Sequence, residues 1–252
     1  MSALLARVAG KYRRTASRLM FRRMVRLRNR RPIVSFTFDD FPKSALHVGG
    51  EILRAHDMRG TYYAALGLMN QMTPTGLIFS PEDLPVLLER GHELGCHTFA
   101  HCDSWETAPR DFARSVEENR VALERLRPGA AFPTLSYPIT CPRPHTKRRV
   151  GRRFECCRFG GQTINRGELD MNLVSAHFLE KDRGAVAVVA AGIEDLMRAG
   201  GWLVLATHDI ADDHTPYGCT PAYFEAVVRE VSKAGAVVLP MAEALRHVTG
   251  GE

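Results

Sequence analysis

Short runs of apolar and β-branched residues alternate along most of the chain with longer stretches whose apolar positions recur every three or four residues. Ile33 to Phe38 reads as the first strand. Thr61 to Leu66, His92 to His97, Thr134 to Tyr137, Trp202 to Thr207 and Ala236 to Leu239 read as later ones, each followed by turn or polar residues. Helical spacing is clearest from Pro109 to Leu126 and from Pro221 to Lys233. Strands alternating with helices predict βα units around a parallel sheet, an α/β fold. A closed barrel and an open doubly wound sheet share this pattern, and the periodicity does not choose between them.

Composition narrows the picture at one end of the chain. With 252 residues, 45% of them hydrophobic and 25% charged, the chain suits one domain of barrel size. The formal charge of +6 is spread unevenly. Eleven cations and no acid lie between Met1 and Arg31, so the rest of the chain is net acidic. The expected organisation is a basic N-terminal arm over 1–31, helical or disordered, and a single folded domain over 32–252. Leu4, Leu5, Val8, Leu19, Met20, Met24 and Val25 interleave with the arginines, which suits an anionic inner-membrane surface. Nucleic acid is the weaker expectation for such an arm, through attraction to phosphates. No apolar run approaches the length of an export signal or a membrane span, so a cytoplasmic protein with peripheral membrane contact is expected. The six cysteines match no zinc-ribbon spacing and are expected to be reduced thiols.

The candidate chemistry gathers behind three of the expected strands: Asp39-Asp40 after Phe38, His97 with His101, and His208-Asp209 after Thr207. Parallel α/β folds build their active sites at the carboxyl ends of strands. An aspartate with two histidines supplies three ligands and leaves a position open, as a catalytic zinc requires. The spacing of His97 and His101 is expected to place both imidazoles on one face of a helical turn. Blander readings exist for each group: a helix cap for Asp39-Asp40, packed histidines for His97 and His101, a turn for His208-Asp209. Their coincidence at three strand ends argues against all three together.

The residues Thr37-Phe38-Asp39-Asp40, His97-Thr98-Phe99-Ala100-His101 and Leu205-Ala206-Thr207-His208-Asp209 resemble three motifs of the polysaccharide deacetylases, the nodulation-protein-B-like group, in order and separation. The resemblance runs from about Ile33 to Val248 and implies a distorted β/α barrel. It implies Asp40, His97 and His101 as ligands of a divalent metal, zinc by its donor set, with Asp39 as general base and His208 as general acid. It also makes Tyr137, Pro138 and Ile139 the substrate wall and oxyanion donor. Amide hydrolysis needs each part, because the carbonyl must be polarised, the water deprotonated and the amine protonated as it leaves.

Two departures stand out. Where the family has an arginine two residues before the proline of its third motif, this chain has Ser136, and Arg143 and Arg166 are the candidates to reach the base instead. Phe41 replaces a common glycine and is expected to reshape the sugar-binding side. For the acid that supports the catalytic histidine, Asp170 is the candidate. The implied activity is hydrolysis of an N-acetyl group on an amino sugar, an oligosaccharide or a glycolipid. Two alternatives remain: another metal-dependent amidohydrolase acting on a formamide or imide, and a catalytically weakened glycan-binding protein.

Overall fold

The computed structural model describes residues 3–250, with side chains from residue 10 onward. The arm positions Leu4, Leu5, Arg7 and Val8 therefore lie outside the described side chains, and Gly251 and Glu252 outside the described residues.

Seven parallel strands close into a barrel: β1 (Ile33–Phe38), β2 (Gly60–Ala64), β3 (Glu93–Cys96), β4 (Thr134–Ser136), β5 (Cys156–Gly160), β6 (Val174–Phe178) and β7 (Trp202–Thr207). Closure comes from β7 pairing with β1 along all six residues, Trp202 opposite Ile33 through Thr207 opposite Phe38. A short β8 (Val237–Val238) pairs with the first residues of β1, while β2 takes the later ones. The expected strands are all present. β5 and β6 were not expected, because Arg158 breaks the apolar run of one and Ser175 and His177 that of the other.

The period of two along each strand sorts side chains between the barrel's inside and its helix-covered outside. Tyr63, Cys156, Val174, Ala176, Trp202, Val204 and Ala206 pack together in the interior. Phe36 and Phe38 point outward, their rings 5.7 and 5.6 Å from that of Phe224. That ring belongs to a helix over Pro221–Ala234, which starts with Thr220 accepting a hydrogen bond from the Tyr223 amide. The helix Pro109–Leu126 has the expected bounds, with Pro109 in the first turn, where a missing N–H costs nothing. The last helix, Met241–Gly250, closes the amino end of the barrel, its Met241 and Ala242 amides donating to Thr61 and to the Glu93 carboxylate. The opposite end, where the strands finish, stays free for loops.

The arm forms a helix, Ala3–Leu19, and a short strand, Met24–Arg26, paired antiparallel with Glu168–Asp170 on the outside of the barrel. Buried Lys147 ties it down, donating to the Ser17 carbonyl at 2.8 Å and to Asp170 at 2.5 Å. No described helix is long and apolar enough to cross a membrane. All six cysteines are free.

Candidate metal and catalytic site

Three loops at the carboxyl ends of β1, β3 and β7 bring the expected residues together. Asp39 and Asp40 follow β1 directly, and the chain turns so sharply that Asp40 and Phe41 both have positive φ, 61° and 55°. For residues with a Cβ that region costs on the order of 1 kcal/mol or more each, so the surroundings must impose it. Phe41 is held by stacking on Phe79, ring centroids 4.4 Å apart, and by Tyr62 at 5.1 Å. It is fully buried in this way, so the ring belongs to the core and not to a sugar-binding face.

His97 and His101 are carried by a loop and not by a helical turn: Thr98 and His101 have positive φ, which no helix allows. The loop still brings the rings to within 5.0 Å of each other. His97 is buried and its Nδ1 lies 2.9 Å from the Ser136 carbonyl oxygen, which only accepts. Nδ1 therefore bears the proton and the bare Nε2 faces inward. Burial, opposed by the nearby carboxylates, pushes its pKa down to about 4, so the ring is neutral. That bare nitrogen sits 3.5 Å from Oδ1 of Asp40, and His101 Nε2 sits 3.0 Å from the same oxygen.

The fit to a metal rests on this contact. His97 Nε2 and Asp40 Oδ1 are both acceptors, and buried Asp40 Oδ1, although 3.0 Å from His101 Nε2, makes no hydrogen bond of good geometry. Two lone pairs facing each other in a buried place are unfavourable unless a cation lies between them. The three ligand atoms fall within 4.8 Å of one another, which suits one ion with a free position. The other oxygen of Asp40 accepts from Thr75 Oγ1 at 2.9 Å, which fixes the carboxylate plane. Burial opposes ionisation of Asp40, yet the neighbouring imidazoles hold its pKa well below the usual range.

Asp39 is buried beside this cluster. Desolvation favours its protonated form, and the guanidinium of Arg158 together with the His97 and His208 imidazoles outweighs that and keeps it ionised. Arg158, on β5, is wholly buried, with Tyr63 at 5.0 Å on one side and Phe178 at 5.4 Å on the other. The same Nη2 that reaches Asp39 donates to Ser136 Oγ at 2.6 Å. The sequence reasoning missed this residue. The signal was a lone arginine inside Cys156-Cys157-Arg158-Phe159, since a cation in so apolar a run needs an acid.

His208 sits at the mouth, against Phe178 and Tyr217 with ring centroids 6.1 and 5.6 Å away. Its Nδ1 donates to the Tyr217 carbonyl at 3.1 Å, so Nε2 is the nitrogen left for substrate. Ile139 is 65% exposed at the rim with a φ of 65°. The Pro138 carbonyl accepts from Ser104, which fixes that turn.

Other expected residues lie elsewhere. Tyr137 faces outward, 6.3 Å from Phe112, in the layer between barrel and helices. Asp170 bonds Lys147 and the Arg23 amide on the outer ribbon. Arg166 bonds Asp195 and the Gly200 carbonyl. Arg143 stands just before the helix Pro144–Val150, its amide donating to the Ser104 carbonyl. None of these reaches Asp39 or His208. The expected supporting carboxylate was misplaced because Asp170 belongs to a ribbon formed with the arm, which local sequence does not announce.

Comparisons with known proteins bear on the fold and the family. Among solved structures, the chitin deacetylase of the fungal pathogen Colletotrichum lindemuthianum aligns with a TM-score of 0.62 at 15% identity, over 86% of this chain and 89% of that one. A family 4 acetyl xylan esterase from Clostridium thermocellum, in complex with a cobalt ion, aligns with a TM-score of 0.60 at 16% identity, over 87% and 93%. A pseudoenzyme of carbohydrate esterase family 4 from Bacillus anthracis aligns with a TM-score of 0.58 at 12% identity, over 87% and 67%. At such identities the likeness concerns the fold. No curated protein sequence matches. The family model "Polysaccharide deacetylase" matches residues 26–152, half of the chain, including Asp39, Asp40, His97 and His101. The chain belongs to the polysaccharide deacetylase family of hydrolases.

Proposed function

We propose that this chain removes N-acetyl groups from an amino sugar or its oligomer, with a divalent metal, zinc by its donor set, held by Asp40, His97 and His101. The observation that carries the reading is buried Asp40 Oδ1, without a well-formed hydrogen bond, facing the bare Nε2 of His97, next to an Asp39 kept ionised by Arg158 together with the nearby imidazoles. A bound divalent ion supplies Lewis-acid polarisation of the acyl carbonyl and acidifies a water. Asp39, ionised and buried, accepts the proton of the attacking water. The backbone N–H of Ile139, on the exposed turn at the rim, is the donor assigned to the developing oxyanion. His208, with Nδ1 committed to Tyr217, delivers a proton from Nε2 to the departing amine. The cobalt ion named with the Clostridium thermocellum esterase supports a divalent site in this fold.

The test is product analysis on N-acetylglucosamine oligomers with metal-loaded protein. Acetate release supports the proposal. Formate from a formamide, with no acetate from the oligomers, would make the chain a different amidohydrolase, and no acid from either would make it a binding protein.

For the arm we propose contact with an anionic membrane surface at a cytoplasmic face. Leu19, Met20 and Met24 are exposed between Arg18, Arg22 and Arg26, and among the described residues only Arg13 of the arm pairs with an acidic side chain, Glu106. Vesicles containing phosphatidylserine should sediment the wild type and release a triple variant with Gln at positions 18, 22 and 26; equal sedimentation of both removes the proposal.

A further inference from the structure

Ser136 and Arg158 are register partners on adjacent parallel strands, β4 and β5, on one rung of the barrel, and both side chains point inward. A single nitrogen of Arg158 serves both Ser136 Oγ and the Asp39 carboxylate. The carboxylate thus lies within one side chain's reach of position 136 as well as of position 158. Arg158 has no other acid: its Nε and Nη1 are buried without partners, and aromatic rings flank the guanidinium. A buried cation with one carboxylate partner is costly to keep unless that pairing is used, because desolvation commonly exceeds what an isolated pair returns.

We propose that Arg158 is the positioning residue for the base, moved by one strand, and that a cation can be exchanged across the rung between positions 136 and 158 with retention of turnover. The inference rests on Asp39 being the base. It places the requirement on a charge at the Asp39 carboxylate, whichever strand supplies it. The small Ser136 is then the complement of the long Arg158, since two arginines on one rung would repel each other in a dry interior. Lysine at 158 is not equivalent, because it carries a point charge that cannot hold Asp39 and Ser136 in one plane.

The experiment compares Arg158→Ala, Arg158→Lys, the exchange Ser136→Arg/Arg158→Ser and Asp39→Asn, each assayed for bound metal, kcat and KM on one N-acetylated oligomer. Arg158→Ala should keep its metal and its KM and lose about 100-fold in kcat, the lower range for a misplaced general base. Arg158→Lys should recover part of that, and the exchange at least ten-fold of it. Rescue by the exchange separates positioning from mere structural support, which arginine on another strand would not restore. If Arg158→Ala does not fold, the exchange decides alone: folded and active supports the inference, inactive or unfolded overturns it. Wild-type kcat in Arg158→Ala overturns it as well. An inactive Asp39→Asn beside an active Arg158→Ala leaves the base assignment standing and removes only the role of Arg158. An active Asp39→Asn removes the base assignment itself.

Discussion

At the scale of single residues, the site is a set of acceptors arranged with too few protons. Thr75 is the donor that settles Asp40, through the oxygen that does not face the histidines. Thr75→Val keeps the shape of the side chain and removes that hydrogen bond, so the carboxylate can rotate away. Outer-shell partners of this kind are typically worth 10–100-fold in metal affinity, and titration of a fluorescent zinc chelator should show a loss of that size with the fold intact. Of the candidate site, the gathering of Asp39, Asp40, His97, His101 and His208 was legible in the sequence, because they come after strands that hydrophobic pattern alone locates. Arg158 and Thr75 were not. One sits inside a strand whose apolar run it interrupts, the other on a small hairpin, Met72–Thr73 with Gly76–Leu77, too short to leave a periodic trace.

At the scale of elements, β3 concentrates several constraints. Gly95 faces the Tyr63 ring so closely that a Cβ would lie 2.4 Å from a ring carbon. Gly95→Ala should therefore force the ring or the strand aside and lower stability by about 1–3 kcal/mol, read from the urea midpoint. At the start of the same strand, the partly buried Glu93 accepts from Thr134 and from the Ala242 amide, and loss of solvent around its carboxyl pushes its pKa up to about 7. Its folded pKa lies above the ordinary 4.5, so its contribution is whole below about 4.5 and is lost as the pH rises through about 7. Glu93→Gln removes that decline. The wild type should fall by up to about 3 kcal/mol relative to the variant between pH 4.5 and 7.5, seen as a Tm difference of several degrees. Parallel Tm-versus-pH curves for the two proteins would contradict this. Element bounds were best read where a strand or helix is uniformly patterned, as in β1, β7 and Pro109–Leu126. They failed where the inside of a barrel admits polar side chains, as in β5 and β6. The expected helical turn at His97–His101 failed for a related reason: a spacing of four is compatible with a loop once surrounding packing supplies the positive φ angles.

At the scale of the whole molecule, seven strands aim one set of polar side chains at the same end, while the helix Met241–Gly250 covers the other. Barrel closure was the feature that periodicity left open and the motif resemblance supplied, since closure depends on β7 meeting β1 over a long separation in sequence, Trp202 opposite Ile33. It is also what makes the site: Asp39 and His208 come from those two strands, which lie side by side only in a closed sheet. The account stands on a divalent ion at Asp40, His97 and His101 with Asp39 as the base beside it. The most direct measurement is bound metal and acetate release in the same preparations of wild type, His97→Ala and Asp39→Asn. The account predicts metal and turnover in the wild type, neither in His97→Ala, and metal with turnover reduced by about 100-fold or more in Asp39→Asn. A wild type that binds no divalent ion, or an Asp39→Asn variant that releases acetate at the wild-type rate, would contradict it.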